Sequence, residues 1–471
     1  MQQVKEEILS KLKSKFEQIA YKNGVLQTSY FTDDDVVGFE TAHQLPAITS
    51  VRLNPFKLTD GLFADAAHVP WSSSARYLQE RPVFTIDPKF HAGVYYVQEA
   101  SSMFTGYAFE QLMQDRDEPI KVLDLCAAPG GKSTLLASLL RPQDLLIANE
   151  TIQPRASILA ENLTRWGQMN TWVTNNDPRD FTKLVGYFDC ILIDAPCTGS
   201  GLWRKDEDAV NEWSPEHVRL CSDRQRRIIA DALPALKDGG LLLYATCSYS
   251  PEENENIADW ICAEFEAESL PVAIDDKWGI VATQSDVAKA YGYRFYPWRV
   301  AGEGFFLAAF KVANNHAEVK PGKDKGRRVA SSKVQPERWH HLLDSSFAMM
   351  ERNEEYYAVH PGHVKEYEKL SSVLRIKKGG TRLGKMLPKE IIPDHELALS
   401  VYLRSDAPSV EMNREEALHY LKKEEIKRDG VKGWMVARYE GLALGWGKWM
   451  PGRMNNYLPK NWRIRMDISE L

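Results

Sequence analysis

Two cysteines, an aspartate and a lysine carry the chemistry this chain could do, and each follows a stretch with strand character. Asp194 opens Asp194-Ala195-Pro196-Cys197-Thr198-Gly199-Ser200-Gly201, directly after the apolar run Ile191-Leu192-Ile193. Cys247 lies in Ala245-Thr246-Cys247-Ser248-Tyr249-Ser250-Pro251-Glu252-Glu253-Asn254-Glu255, just past the strand-like Leu241 to Tyr244. Lys132 closes Cys126-Ala127-Ala128-Pro129-Gly130-Gly131-Lys132, between the strand-like Val122 to Leu125 and a helical run, Leu135, Leu136, Leu139, Leu140. A strand that turns sharply into a helix presents unpaired backbone N–H groups, and glycines let a ligand approach the backbone. The expectation is a nucleotide-type pocket with two thiols on the same sheet edge.

The glycine turn admits several readings. Gly131-Lys132-Ser133 fits the second half of a P-loop, but Cys126 stands where the opening glycine belongs. No G-x-G-x-x-G can be drawn, which weakens a dinucleotide site. A loop for S-adenosylmethionine (SAM) fits, and a purely structural βα turn is the bland alternative. The run Phe188 to Asp194 resembles a Walker B strand, keeping an NTPase open, although a Pro-Cys followed by Gly/Ser is not expected there. A non-catalytic RNA-binding assembly factor is a further alternative, but it would need neither strand-end thiol.

A SAM pocket, two thiols and an aspartate together suit methylation at C5 of cytosine. That carbon is a poor nucleophile until a thiolate adds at C6 and makes C5 enamine-like. The C5 proton must then leave and the thiol be expelled, which needs a base and is helped by a second thiol. Asp194 could hydrogen-bond the N3/N4 edge of the base, which must be unstacked to reach such a pocket.

Positioning these groups requires alternating strands and helices from residue 121 onward, the pattern of a parallel, doubly wound sheet. The strand at 145–149 runs into Glu150, placed to bind a ribose diol. Helix 154–166 and strand 171–174 lead to Asn175-Asn176-Asp177, where Asp177 meets an adenine edge or merely caps a turn. Helix 215–236, a Gly239-Gly240 turn and strand 241–244 follow. Tyr291 to Val312 reads as a closing antiparallel hairpin around Ala301-Gly302-Glu303-Gly304, ending the catalytic domain near Val312. Residues 1–90 open with an amphipathic helix (Ile8, Leu12, Phe16, Ile19) and read as a small mixed α/β module, while Tyr95 to Met103 carries no readable signal. The expected division is 1–90 N-terminal module, 91–315 catalytic domain, 316–335 basic linker, 336–404 C-terminal subdomain with basic patches (Arg375, Lys377, Lys378, Arg382, Lys385), and 405–471 β-rich domain. In that last piece Trp434, Trp446, Trp449 and Trp462 alternate with Lys432, Lys448, Arg453, Lys460, Arg463 and Arg465, a mixture suited to phosphate contact and base stacking.

Composition narrows the class. With 471 residues, 44% hydrophobic and 26% charged, the chain has ordinary globular composition and room for about three domains. No apolar run approaches the ~20 residues of a membrane span, and no signal h-region opens the chain, so a soluble cytoplasmic protein is expected. The six cysteines show no metal-type pairing; no metal is expected, and Cys126, Cys190, Cys221 and Cys262 take a structural reading. Net charge is −6, yet residues 320–471 hold 29 Lys/Arg against 21 Asp/Glu and the first 319 hold 30 against 44. A basic last third on an acidic body points to a polyanionic partner.

The three blocks, DLCAAPGGKS, Asp194 to Gly201 and Ala245 to Asn254, resemble together and in order the signatures of the RNA cytosine-5 methyltransferases, the NOL1/NOP2/Sun family. The bacterial ribosomal branch is resembled over the full length, through an RNA-binding N-terminal extension and a PUA-like tail, GLALGWGKWMPGRMNNYLP. The implied fold is a Rossmann-like SAM-dependent methyltransferase sheet with a small N-terminal α/β RNA-binding module and a C-terminal PUA-like β-rich domain. The resemblance also implies roles that spacing alone cannot order: Cys247 as nucleophile and Cys197 in product release. It assigns Cys126, Ala127, Ala128, Pro129, Gly130, Gly131, Lys132, Glu150, Asp177 and Asp194 to SAM, with Lys132 and Asp194 also facing the reaction. The product would be S-adenosylhomocysteine and the target a cytosine in the decoding region of 16S rRNA within the 30S subunit, met by a monomer.

Overall fold

The computed structural model describes residues 2–28, 30–313, 336–343, 346–388, 390–427 and 432–467, so the expected linker at 316–335 lies outside the described residues. Its centre is a ten-stranded sheet. We label its main strands β1 (Lys121–Asp124), β2 (Leu145–Asn149), β3 (Thr171–Thr174), β4 (Phe188–Asp194), β5 (Leu236–Thr246), β6 (Val281–Gln284), β7 (Tyr291–Phe295), β8 (Phe305–Val312) and β9 (Ile376–Lys378). They lie in the order β6-β7-β8-β5-β4-β1-β2-β3-β9. The run β3-β2-β1-β4-β5 is parallel, and β8 closes it antiparallel on β5. Strands buried on both faces read as apolar runs, which is how Ile191-Leu192-Ile193 and Leu241-Leu242-Leu243 behave. Helices α1 (Gly131–Leu139), α2 (Gln153–Trp166), α3 (Pro215–Ala232) and α4 (Glu255–Phe265) supply the crossovers and cover.

The hairpin expected at 291–312 is present as β7 and β8. Two expectations about the sheet need correction. Gly239-Gly240 is not a turn before the strand; β5 starts at Leu236 and passes through both glycines, with a register shift opposite Phe188/Cys190. The bulge absorbs the extra residues, and Gly239 takes φ +68°, where a side chain would be strained. The sheet also does not end at Val312. Strand β9, from the C-terminal part, pairs antiparallel with β3 and so covers an edge of unpaired N–H and C=O groups.

The N-terminal part forms its own four-stranded sheet, His68–Val69, Ser72–Leu78, Thr49–Leu53 and Tyr95–Val97 in that order. Its last strand lies beyond residue 90. Val69, Trp71 and Ala75 of this sheet share one core with Met103, Phe104, Leu135, Ala245 and Leu307. The helix Gln2–Ala20 buries Leu12, Phe16 and Ile19, and Phe16 meets Tyr249 edge-on at 5.8 Å. Two further four-stranded sheets follow, one at 348–393 and one at 409–456. In the second, Trp446 and Trp449 are 2% and 0% exposed and build its core, so they are not stacking platforms. Trp434 and Trp462 are half-buried, and Lys432, Arg453, Lys460, Arg463 and Arg465 are exposed.

Candidate active site

Strand β1 delivers Asp124 to the carboxyl edge, where the chain turns through Cys126 to Gly130 into α1. Gly130 has φ +115°, and a Cβ there would meet Leu159 at 3.1 Å, so the turn is built on glycine's freedom. A pocket of about 380 Å³ opens beside this turn. Of the expected residues, Cys126, Ala127, Ala128, Pro129, Gly131, Lys132, Asp194 and Cys247 line it. Gly130 caps α1 just behind that lining.

Strands β4 and β5 place the reactive groups. Asp194 pairs across the ladder with Ala245, and Ala195 N–H donates to Ala245 O at 2.9 Å. Beyond that pair the two chains leave the sheet as loops carrying Cys197 and Cys247. Their Sγ atoms stand 3.1 Å apart. Gly201 N–H donates to Cys247 O at 2.8 Å, and Gly304 N–H donates to Gly201 O at 3.0 Å. A Cβ on Gly201 would lie 2.5 Å from Gly304 O, so this contact requires glycine. Both cysteines are partly accessible, and the contact with Cys247, with burial added, raises the pKa of the Cys197 thiol.

Lys132 Nζ donates to Asp194 Oδ2 at 2.8 Å and lies 5.1 Å from the centre of the Phe305 ring. Burial opposes the Lys132 charge, but Asp194, with Cys247 and Asp124, holds its pKa above the ordinary lysine value. Asp124 is fully buried; its Oδ2 accepts from Ser133 Oγ at 2.6 Å and its Oδ1 has no partner among the described residues. Burial raises its pKa to about 7.

Glu150 and Asp177 lie outside the pocket lining. Glu150 is 5% exposed at the end of β2; its carboxylate accepts from Ile152 N–H at 2.8 Å and faces Arg155 at 3.5 Å. Asp177 caps the short turn Pro178–Lys183, accepting from Arg179 N–H at 3.1 Å and Arg179 Nε at 2.9 Å. Among the cysteines given a structural reading, Cys190 and Cys221 are buried, whereas Cys126 lines the pocket.

The opposite wall was not foreseen. Tyr96, Val97, Gln98, Glu99 and Ser102 line the pocket, from the segment that carried no readable signal. Glu99 holds it in place, accepting from Ser101 N–H, Ser102 N–H and Glu303 N–H, each at 2.8 Å. An acid two residues before a Ser-Ser pair at a helix start was the available clue.

Five parallel strands closed by an antiparallel hairpin, with a glycine turn and pocket at the carboxyl edge, define a Rossmann-like SAM-dependent methyltransferase fold. The chain belongs to the 16S rRNA methyltransferase RsmB/F family, whose model matches residues 111–311. The N-terminal domain of 16S rRNA methyltransferase RsmF matches residues 25–100, and the RsmF PUA domain matches 407–464. The ribosomal RNA small subunit methyltransferase F of Aliivibrio salmonicida is 31% identical, covering 90% of this chain and 92% of that one. The protein of the same description from Aliivibrio fischeri (strain ATCC 700601 / ES114) is 30% identical over 92% and 94%. A crystal structure of a methyltransferase homolog protein from Pyrococcus horikoshii superposes with a TM-score of 0.52 at 29% identity, over 64% of this chain and 98% of that one. No described helix is long and apolar enough to cross a membrane.

Proposed function

We propose that the chain methylates C5 of a specific cytosine in 16S rRNA, in the decoding region and within the 30S subunit, forming 5-methylcytosine through a covalent Cys247–C6 adduct. The observation that carries this reading is the 3.1 Å pair of thiols beside the Lys132–Asp194 ion pair at the pocket. SAM fits the residues present: a 380 Å³ pocket lies within the range of small-ligand sites, its glycine turn gives close backbone approach, and Asp124 and Asp194 are acidic side chains on its lining, suited to a cationic ligand. When bound, SAM supplies an electrophilic methyl group.

Cys247 Sγ adds to C6 as the thiolate, and the bonding pair of C5=C6 becomes available at C5 for the methyl. Asp194 orients the base through its N3/N4 edge, and Lys132 holds Asp194 in place. Loss of the C5 proton to a base restores C5=C6 and expels Cys247, with Cys197 assisting that release. Glu150 binds the ribose diol and Asp177 the adenine edge. The N-terminal module, the segment at 336–404 and the PUA-like domain at 405–471 bind the RNA. The enzyme acts as a cytoplasmic monomer without a metal.

The test is transfer of labelled methyl from SAM to small-subunit RNA, offered naked and as 30S particles. Cys247→Ala should abolish both transfer and adduct. Cys197→Ala should accumulate a denaturant-resistant protein–RNA adduct. Methylation that survives Cys247→Ala and is lost in Cys197→Ala would reverse the two roles. Absence of 5-methylcytosine in the product would sink the reading.

A further inference from the structure

The third motif contains a residue that the mechanism above leaves unused. Glu253 sits in the turn Pro251–Glu253 before α4, and its side chain is fully buried. Four donors converge on its carboxylate. Oε1 accepts from Thr198 N–H at 3.0 Å and Gln225 Nε2 at 3.1 Å; Oε2 accepts from the hydroxyls of Thr198 and Ser248, both at 2.5 Å. Thr198 follows Cys197 and Ser248 follows Cys247, so one oxygen atom ties together the residues next to both thiols. The β4–β5 ladder stops at Asp194 and Ala245, and among the described residues no cation pairs with Glu253. Gln225 extends the same clamp by donating to Pro196 O at 3.1 Å, and Tyr244 OH donates to the Glu253 carbonyl at 2.6 Å while lying 3.0 Å from Gln225 Oε1.

We propose that Glu253 is the positioning residue that sets the spacing of the two thiols, and through it the hand-off from adduct formation to release. The inference rests on the two-thiol reading above. It accounts for an acid where, among the described residues, no cation pairs with it: a carboxylate accepts four hydrogen bonds and donates none. Gln at this place would satisfy most of the clamp, because the two hydroxyls can rotate to accept from its amide N–H₂ while its oxygen still faces Thr198 N–H and Gln225. Ala would leave the loops joined by Gly201 N–H to Cys247 O, by Tyr249 N–H to Ser200 Oγ at 2.8 Å and by the long hydroxyl contacts of Ser248 with Thr198 and Ser200, with no shared oxygen to fix Thr198 against Ser248. A thiol displaced by about 1 Å is enough to cost on the order of 100-fold in a positioned step.

The experiment compares full-length wild type, Glu253→Gln, Glu253→Ala and the near-isosteric Thr198→Val. Phenylarsine oxide reports spacing without catalysis, since bridging consumes two thiols and releases one water. Cys197→Ser is the control for capture by other cysteines. Glu253→Ala should slow bridging at least tenfold and raise the ratio of trapped adduct to released product at least tenfold, while SAM affinity stays within threefold. Glu253→Gln should remain within about fivefold of wild type on both readouts, and Thr198→Val should fall between. If Glu253→Ala does not fold, Thr198→Val decides. Wild-type bridging and release in the variants that fold would overturn the inference. If wild type itself transfers no methyl while bridging still follows Glu253, the positioning role stands and the functional reading falls.

Discussion

Arg52, behind the glycine turn, and Glu253, behind the thiol loops, are both fully buried charges, and neither has an ion-pair partner among the described residues. Elsewhere in the same domain buried charges are paired, as in Arg294 with Glu255 and Arg204 with Glu303. Arg52 and Glu253 use neutral dipoles instead. The Arg52 guanidinium donates five times: to Gln98 Oε1, to Ser138 Oγ, to Thr134 O and Oγ1, and to Gly131 O. It also lies 4.5 Å over the Trp166 ring. Glu253 mirrors this by accepting four times. An ion pair is tolerant of angle, whereas a fork of hydrogen bonds to fixed groups specifies geometry, and both walls require geometry. The difference is one of reach. Arg52 belongs to the strand Thr49–Leu53, so the glycine turn depends on the N-terminal sheet, while Glu253 ties segments of the catalytic sheet to each other.

Breaking the Arg52 side should have the largest effect. Arg52→Ala removes five hydrogen bonds, orphans buried acceptors and leaves a cavity, which together should cost about 4–5 kcal/mol of stability. Urea unfolding measures it, and SAM titration should show weakened binding even where the variant remains folded. A midpoint unchanged from wild type would mean that the N-terminal sheet does not hold the turn.

Asp124 lies between the two walls and differs from both, because one of its oxygens has no partner among the described residues. Burial lifts its folded pKa to about 7, against an unfolded value of about 3.9. The folded state therefore keeps a proton that the unfolded state releases, and stability declines as pH rises from about 4 to about 7, then levels off. Asp124→Asn should remove that slope and gain on the order of 3 kcal/mol at pH 8 relative to wild type. Chemical denaturation at pH 5 and pH 8 reads the difference; parallel pH dependence in the two proteins would show that Asp124 ionises as an ordinary carboxyl.

How far the sequence could carry the fold follows from the range of the interactions. The parallel strands and the motifs at their ends were legible because apolar runs and tight turns are local signals, and so Cys126 to Lys132, Asp194 and Cys247 fell in place around one pocket. What stayed hidden depends on distant partners. Tyr96 to Glu99 form a wall only because Arg52 and Glu303 come to meet that segment. Strand β9 reads as part of a basic patch, Arg375, Lys377 and Lys378, until β3 offers it an edge, and Lys378 is then buried beside Glu396. Gly239-Gly240 has turn composition but sits in a bulge, and Trp446 and Trp449 have the composition of a binding face but fill a core. Composition cannot tell which side of a strand faces inward when small residues and aromatics alternate on both.

Asp177 provides the smallest and sharpest test, because it stands outside both walls. Its side chain is partly exposed, caps a short turn and is held low in pKa by the Arg179 side chain and backbone. As a cap alone, Asp177→Ala should cost about 1 kcal/mol or less and leave ligand binding untouched. As an adenine contact it should lower SAM affinity roughly tenfold, which is about 1.4 kcal/mol of binding, with no larger change in melting. Isothermal titration beside a thermal melt separates the two. Arg179→Ala sharpens the result, since it frees the carboxylate without removing it: under the adenine reading affinity should hold or improve, and under the cap reading only the melt should move.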